Sequence, residues 1–185
     1  MVAEKPLLAE SIAKFIANGP VKTRRGISPA CNVHEFDVTF KGRTRRAKMT
    51  SVAGHVYTCD FDKKFSSWSV DPQELFSCPI IKEEANPKTR IPAHLKSEAK
   101  GCDTLVLWLD CDREGENICF EVMDNTVDYM TKNSKVYRAQ FSSITRKDIC
   151  NAFAQLGSPN PRLAEAVDAR QEIDLRVGVA FTRLQ

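Results

Sequence analysis

The sequence predicts an α/β fold: a mostly parallel sheet flanked by helices, followed by the first helix of a second, helical domain. Three observations predict it. Strand-like apolar runs alternate with stretches of helical spacing, the order that builds parallel sheets. One run, Leu105-Val-Leu-Trp-Leu109, is apolar without alternation, as a strand covered on both faces requires. A break rich in proline and glycine, Gly157-Ser-Pro-Asn-Pro161, then sets this pattern apart from a long amphipathic segment.

Met1-Val2-Ala3 reads as the end of a strand, and Pro6 suits the first turn of a helix. Leu7, Leu8, Ile12, Phe15 and Ile16 recur at helical spacing until Asn18-Gly19-Pro20 stops them. Phe36, Val38 and Phe40 alternate along a strand over Val33–Phe40. Lys41-Gly42 turns the chain and Arg45–Val52 returns it. Residues 60–92, punctuated by prolines, read as an excursion from the main sheet with a short helix around Pro72–Phe76. Helix is expected over Ala93–Lys100, strand over Thr104–Leu109, helix over Glu114–Met130 with Ile118, Val122 and Met123 inward, and strand over Val136–Phe141. A helix follows Ser142-Ser-Ile-Thr145 as far as Leu156. The last helix runs from Arg162 to about Leu184, with Leu163, Val167, Ile173, Val177 and Phe181 inward. The domains are therefore 1–157 and 158–185. The first strand has three residues before Glu4 and the last helix reaches Gln185 without a stop signal, so the sequence reads as a piece of something larger.

No stretch approaches the roughly 20 apolar residues of a membrane span, and the start lacks a signal peptide's pattern. The seven cysteines form no Cys-x-x-Cys pair and only three histidines accompany them, which argues against zinc. An odd, scattered set suits the reducing cytosol or nucleus. The net charge of +3 is uneven: Lys22, Arg24, Arg25, Lys41, Arg43, Arg45, Arg46 and Lys48 stand against Glu35 and Asp37 alone. Such a segment is either a surface for nucleic acid or a solvated hairpin with ordinary solubilising charge.

The chemistry concentrates where the apolar strand ends. Asp110, Asp112 and Glu114 follow it at alternate positions, and then Gly115. Carboxylates crowded at a buried strand end repel one another and are costly to desolvate. They make sense around a divalent cation, and hard oxygen ligands on a short loop suit Mg²⁺, which leaves positions open for phosphate oxygens. The alternative is a solvated strand end whose acids start a helix. In an open α/β sheet, ligands gather at the carboxyl ends of strands, and Glu4-Lys5 occupies another such end. If the two strands are neighbours, Glu4 faces the triplet. There a carboxyl can hold or release a proton during attack on a phosphodiester, and Lys5 can meet the phosphate as a point charge.

Val2-Ala-Glu-Lys-Pro6, Gly54-His55-Val56 and Leu109-Asp-Cys-Asp-Arg-Glu-Gly-Glu-Asn117 resemble the Toprim domain, a Rossmann-like fold, of type IA DNA topoisomerases. The beta branch of the eukaryotic topoisomerase III group is the best match. Glu84-Ala-Asn-Pro-Lys88, Phe141-Ser-Ser-Ile-Thr145 and Asp168-Ala-Arg-Gln-Glu-Ile-Asp-Leu-Arg176 extend the resemblance over nearly the whole chain. It implies that Glu4 is a general acid/base close to the metal and that Lys5 contacts the scissile phosphate. It implies that Asp110, Asp112 and Glu114 hold Mg²⁺, that His55 approaches a single strand, and that Arg170 and Asp174 line a groove for it. It further implies a nuclear enzyme that cuts, passes and reseals single-stranded DNA, and RNA in the beta branch, with a scaffold protein as partner.

Two departures limit the transfer. The family's nucleophilic tyrosine has no counterpart among Tyr57, Tyr129 and Tyr137, so this chain alone is not expected to relax DNA. The family's first strand also begins several residues earlier. A metal-dependent nuclease or primase-like enzyme that needs no tyrosine, and a non-catalytic nucleic-acid-binding fragment, stand as alternatives.

Overall fold

A computed structural model describes residues 1–184. Gln185, to which the sequence reading extends the last helix, lies outside them. In chain order the elements are β1 (Val2–Ala3), α1 (Pro6–Ile16), β2 (Lys22–Arg25), β3 (Asn32–Phe40), β4 (Arg43–Ser51), β5 (Tyr57–Phe61), β6 (Ile80–Glu84), α2 (Ile91–Ala99), β7 (Thr104–Trp108), α3 (Arg113–Thr126), β8 (Lys135–Arg138), α4 (Arg146–Ala154) and α5 (Pro161–Leu184). Six strands form one sheet in the order β2-β3-β4-β1-β7-β8. The junctions from β4 to β8 are parallel, and β2-β3-β4 is an antiparallel meander.

The apolar run of β7 explains the layering. Val106 and Trp108 point to one face, where they meet Leu8, Ile12, Ile149 and Ala152 of α1 and α4. Leu105 and Leu107 point to the other, against Leu95, Ile118 and Val122 of α2 and α3. A strand covered on both sides cannot carry polar residues, so β7 shows no alternation. The two-residue β1 lies beside it, with Val2 opposite Leu107 and Ala3 opposite Trp108. Glu4 and Asp110 therefore leave the sheet at the same end.

Three strands escaped the sequence reading. β2 is Lys-Thr-Arg-Arg and exposed throughout, so it carries no apolar signal. β5 and β6 pair with each other in a separate two-stranded sheet, Tyr57 opposite Glu84 and Phe61 opposite Ile80. The inward face of α5 also needs correction. Ala164, Val167 and Ala180 are buried, while Ile173, Val177 and Phe181 are exposed. The first half of α5 packs on α3. Its second half meets the β5–β6 excursion through Leu175, Val179 and Ala180, so the buried face changes along the helix.

Four of the eight cations of the basic segment are paired with acids of the chain. Arg24 pairs with Glu35 and Glu98, Arg46 with Glu35, Lys48 with Glu98, and Arg45 with Asp103. All seven cysteines are free thiols. Among the described residues no helix is long and apolar enough to cross a membrane.

His94 of α2 is buried beneath the β2–β3 turn, and an added Cβ at Gly26 would lie 2.2 Å from its ring. Its Nδ1 accepts from the Ser28 N–H at 3.4 Å, which leaves Nε2–H to donate to Thr50 Oγ1 at 2.7 Å. Thr50 in turn donates to the Asn32 carbonyl at 2.9 Å. The network fits only the neutral ring, and burial pushes the His94 pKa below its ordinary 6.5. The unfolded chain therefore takes up this proton at a higher pH than the folded one, and the His94 contribution to stability falls as pH drops below about 6.5. In urea unfolding between pH 7.5 and 5.5, His94→Asn should lose less stability on acidification than the parent chain. An equal slope in both proteins contradicts the assignment.

Candidate acid site at the strand ends

Two clusters meet where β1 and β7 end. In the first, Glu4 Oε2 accepts the backbone N–H of Asp110 at 3.0 Å. Lys5 Nζ donates to Asp110 Oδ2 at 3.2 Å and lies 3.8 Å from Glu4 Oε1. The hydrogen bond to Asp110 is the main reason the Lys5 pKa is raised, with the charges of Asp110, Glu4 and Asp112 adding to it. Glu4 is mostly covered and Lys5 mostly open, so the lysine presents its charge to solvent.

In the second, His55 stands between two carboxylates. Its Nε2 donates to Glu114 Oε2 at 2.9 Å and its Nδ1 to Glu121 Oε1 at 3.2 Å. Two acceptors require both ring nitrogens to carry protons. The hydrogen bond to Glu121 is the largest reason the His55 pKa is raised, and burial opposes it. Glu121 is buried and its Oε2 accepts the Val56 N–H at 2.7 Å. The other oxygen of Glu114 takes the Arg170 guanidinium, delivered by α5. Asp174 touches the cluster only through Arg170, at 3.6 Å.

Asp112 joins the two clusters along the chain. Its Oδ1 caps α3 by accepting the Gly115 N–H at 2.7 Å, a bond worth about 1 kcal/mol. The helix-starting alternative in the sequence is thus realised for this residue. Gly115 permits the tight turn, because a Cβ there would lie 1.9 Å from the Asp110 carbonyl oxygen.

The four acids of the expected metal set, Glu4, Asp110, Asp112 and Glu114, are here divided between the two clusters. Among the described residues no three His, Cys, Asp or Glu side chains converge as a ready cage. Glu114 is drawn off by His55 and Arg170, each offering it a charged hydrogen bond. The donor chemistry at Asp110 and Asp112 still fits a hard cation that keeps most of its water and needs one or two carboxylates, with Glu4 alongside. Two contributors were missed. Glu121 reads in the sequence as one more polar residue of a helix, yet it bonds both His55 and Val56 of the Gly54-His55-Val56 motif. Asn117 ties α3 to α5 by donating to the Ala164 carbonyl at 3.1 Å and to Asp168 at 3.0 Å.

A family model described as the Toprim domain matches residues 1–144. The whole chain is 56% identical over 191 residues to DNA topoisomerase 3-beta-1 of Homo sapiens, and covers 22% of that protein. It is 56% identical over 187 residues to DNA topoisomerase 3-beta of Arabidopsis thaliana, covering 21% of it. It is 42% identical over 185 residues to human DNA topoisomerase 3-alpha, covering 18%. The solved structure of full-length topoisomerase I from Thermotoga maritima matches 95% of this chain and 24% of its own, with a TM-score of 0.52 and 23% identity, which shows a shared fold.

The close approach at Gly115 is open to test. Gly115→Ala must move the Asp110 carbonyl or the first turn of α3, at a cost of about 1–3 kcal/mol or more. A drop in the urea midpoint is expected, and an unchanged midpoint contradicts the contact.

Proposed function

The chain belongs to the Toprim domain family, and from that membership we propose that it is the metal-holding, proton-transferring part of a type IA DNA topoisomerase III. The observation that carries the proposal is the junction of Glu4, Lys5 and Asp110 at two adjacent strand ends. The chain spans about a fifth of the length of the curated relatives it matches, so the complete reaction belongs to a larger protein.

Toprim domains bind divalent metal. Here we propose Mg²⁺, at Asp110 and Asp112 with Glu4 adjoining. When bound, the cation offsets phosphate charge near the strand ends. Lys5 then directs its ammonium at a phosphodiester oxygen instead of at Asp110. Glu4, shielded from solvent, holds or releases the proton of the attacking or departing hydroxyl. The imidazolium of His55 and the guanidinium of Arg170 supply positive charge for further phosphates of a single DNA strand, or of RNA by the same backbone chemistry. Neither Tyr57, whose hydroxyl donates to Asn125, nor Tyr137, whose hydroxyl accepts from Lys41, is bonded into the acid site. The nucleophile is proposed to lie elsewhere in the whole protein.

Calorimetric titration of the chain with Mg²⁺, with and without a single-stranded oligonucleotide, tests this. Binding of both is expected, with no cleavage. Asp110→Asn with Asp112→Asn should weaken Mg²⁺ binding at least tenfold, and Lys5→Ala should weaken oligonucleotide binding several-fold. Cleavage by the chain alone would replace the proposal with a tyrosine-independent nuclease, and Mg²⁺ binding untouched by the Asp→Asn pair would remove the metal assignment.

A further inference from the structure

Arg138 closes β8 and is fully buried, although it carries a permanent charge. Its Nη1 donates to the carbonyls of Leu109 at 2.7 Å and Ala139 at 2.9 Å, its Nη2 to the Asp110 carbonyl at 2.8 Å, and its Nε to Glu116 Oε1 at 2.8 Å. Glu116 is 5% exposed, and its Oε2 accepts the Asn160 N–H at 3.0 Å. The backbone of Arg138 pairs in both directions with Gly157. Arg138 and Glu116 thus tie together the end of β7, the first turn of α3 and the linker that launches α5.

A buried ion pair is a weak source of stability, because desolvating both charges offsets their attraction. What this one fixes is geometry. The Asp110 residue is held from two sides, its N–H by Glu4 and its C=O by Arg138. Meanwhile the bond from Asn160 to Glu116 sets where α5 departs, ten residues before Arg170 reaches Glu114. We propose that Arg138, braced by Glu116, is a positioning residue for the acid site. It aims the Asp110 carboxylate and sets the distance between α5 and Glu114. The inference deepens the acid-site reading above and takes its functional meaning from it.

The test replaces the pair by apolar residues of similar length, Arg138→Met with Glu116→Met, so that no lone charge is left buried. Two readouts are compared with Met49→Ala, a core substitution away from the site. Amide hydrogen exchange at Asp110 and Gly115, whose partners are untouched, should quicken at least tenfold in the double variant and stay unchanged relative to α1 in Met49→Ala. Mg²⁺ affinity should fall at least tenfold in the double variant alone. If the double variant does not fold, Arg138→Lys serves in its place, since it keeps the charge but loses the fork. The same pattern is then expected. Exchange at Asp110 and Gly115 that matches the parent chain, or that quickens equally in Met49→Ala, overturns the proposal. A parent chain that ignores Mg²⁺ would remove the metal reading, and the exchange pattern would still decide on Arg138.

Discussion

Mutual repulsion among carboxylates is the constraint on which this structure turns. Glu4, Asp110, Asp112 and Glu114 all emerge at one end of the sheet, and each must be answered. Backbone amides answer two of them: Asp110 N–H satisfies Glu4 and Gly115 N–H satisfies Asp112. Cations answer the others, Lys5 at Asp110, and His55 with Arg170 at Glu114. The raised pKa values of Lys5 and His55 are the counterpart of this balance, since each is held charged by the acids it faces. Under the proposed function, a cation entering the site would meet acids already paired with positive side chains.

The fold produces the crowding through topology. A two-residue central strand beside an apolar strand covered on both faces forces Glu4 and Asp110 to leave the sheet together. The turn after β7 is then fixed by a close approach at Gly115 and by the cap from Asp112, and α5 is pulled across α3 by Asn117. Packing and electrostatics are separate here. The cores on the two faces hold the layers, and polar bonds set the last few ångströms.

Much of this was legible in the sequence. Leu105–Leu109 announced a central strand because burial on both faces removes alternation. The acids beyond it and Glu4-Lys5 could be placed at strand ends by the α/β pattern, and the pairing of β1 with β7 makes those ends neighbours. What was not legible has physical causes. β2 is an edge strand with no buried face, and β5 and β6 are separated by residues 62–79, so no tight turn signals their pairing. The inward face of α5 could not be read from one helical period, since the helix packs on two different surfaces. Glu121 and Arg138 stayed hidden because a buried charge looks like any polar residue until its partners, distant in sequence, are known. The division of the acids between cations also depends on three-dimensional placement, which a motif read in one dimension does not give.

Diffraction from crystals of this chain soaked in Mn²⁺, with the anomalous signal recorded, addresses the central claim most directly. The account predicts one strong peak in contact with carboxylate oxygens of Asp110 and Asp112, with the Lys5 ammonium displaced from Asp110. A peak held by Glu114 or Glu121 in its place, or no peak with the Lys5–Asp110 pair intact, contradicts it.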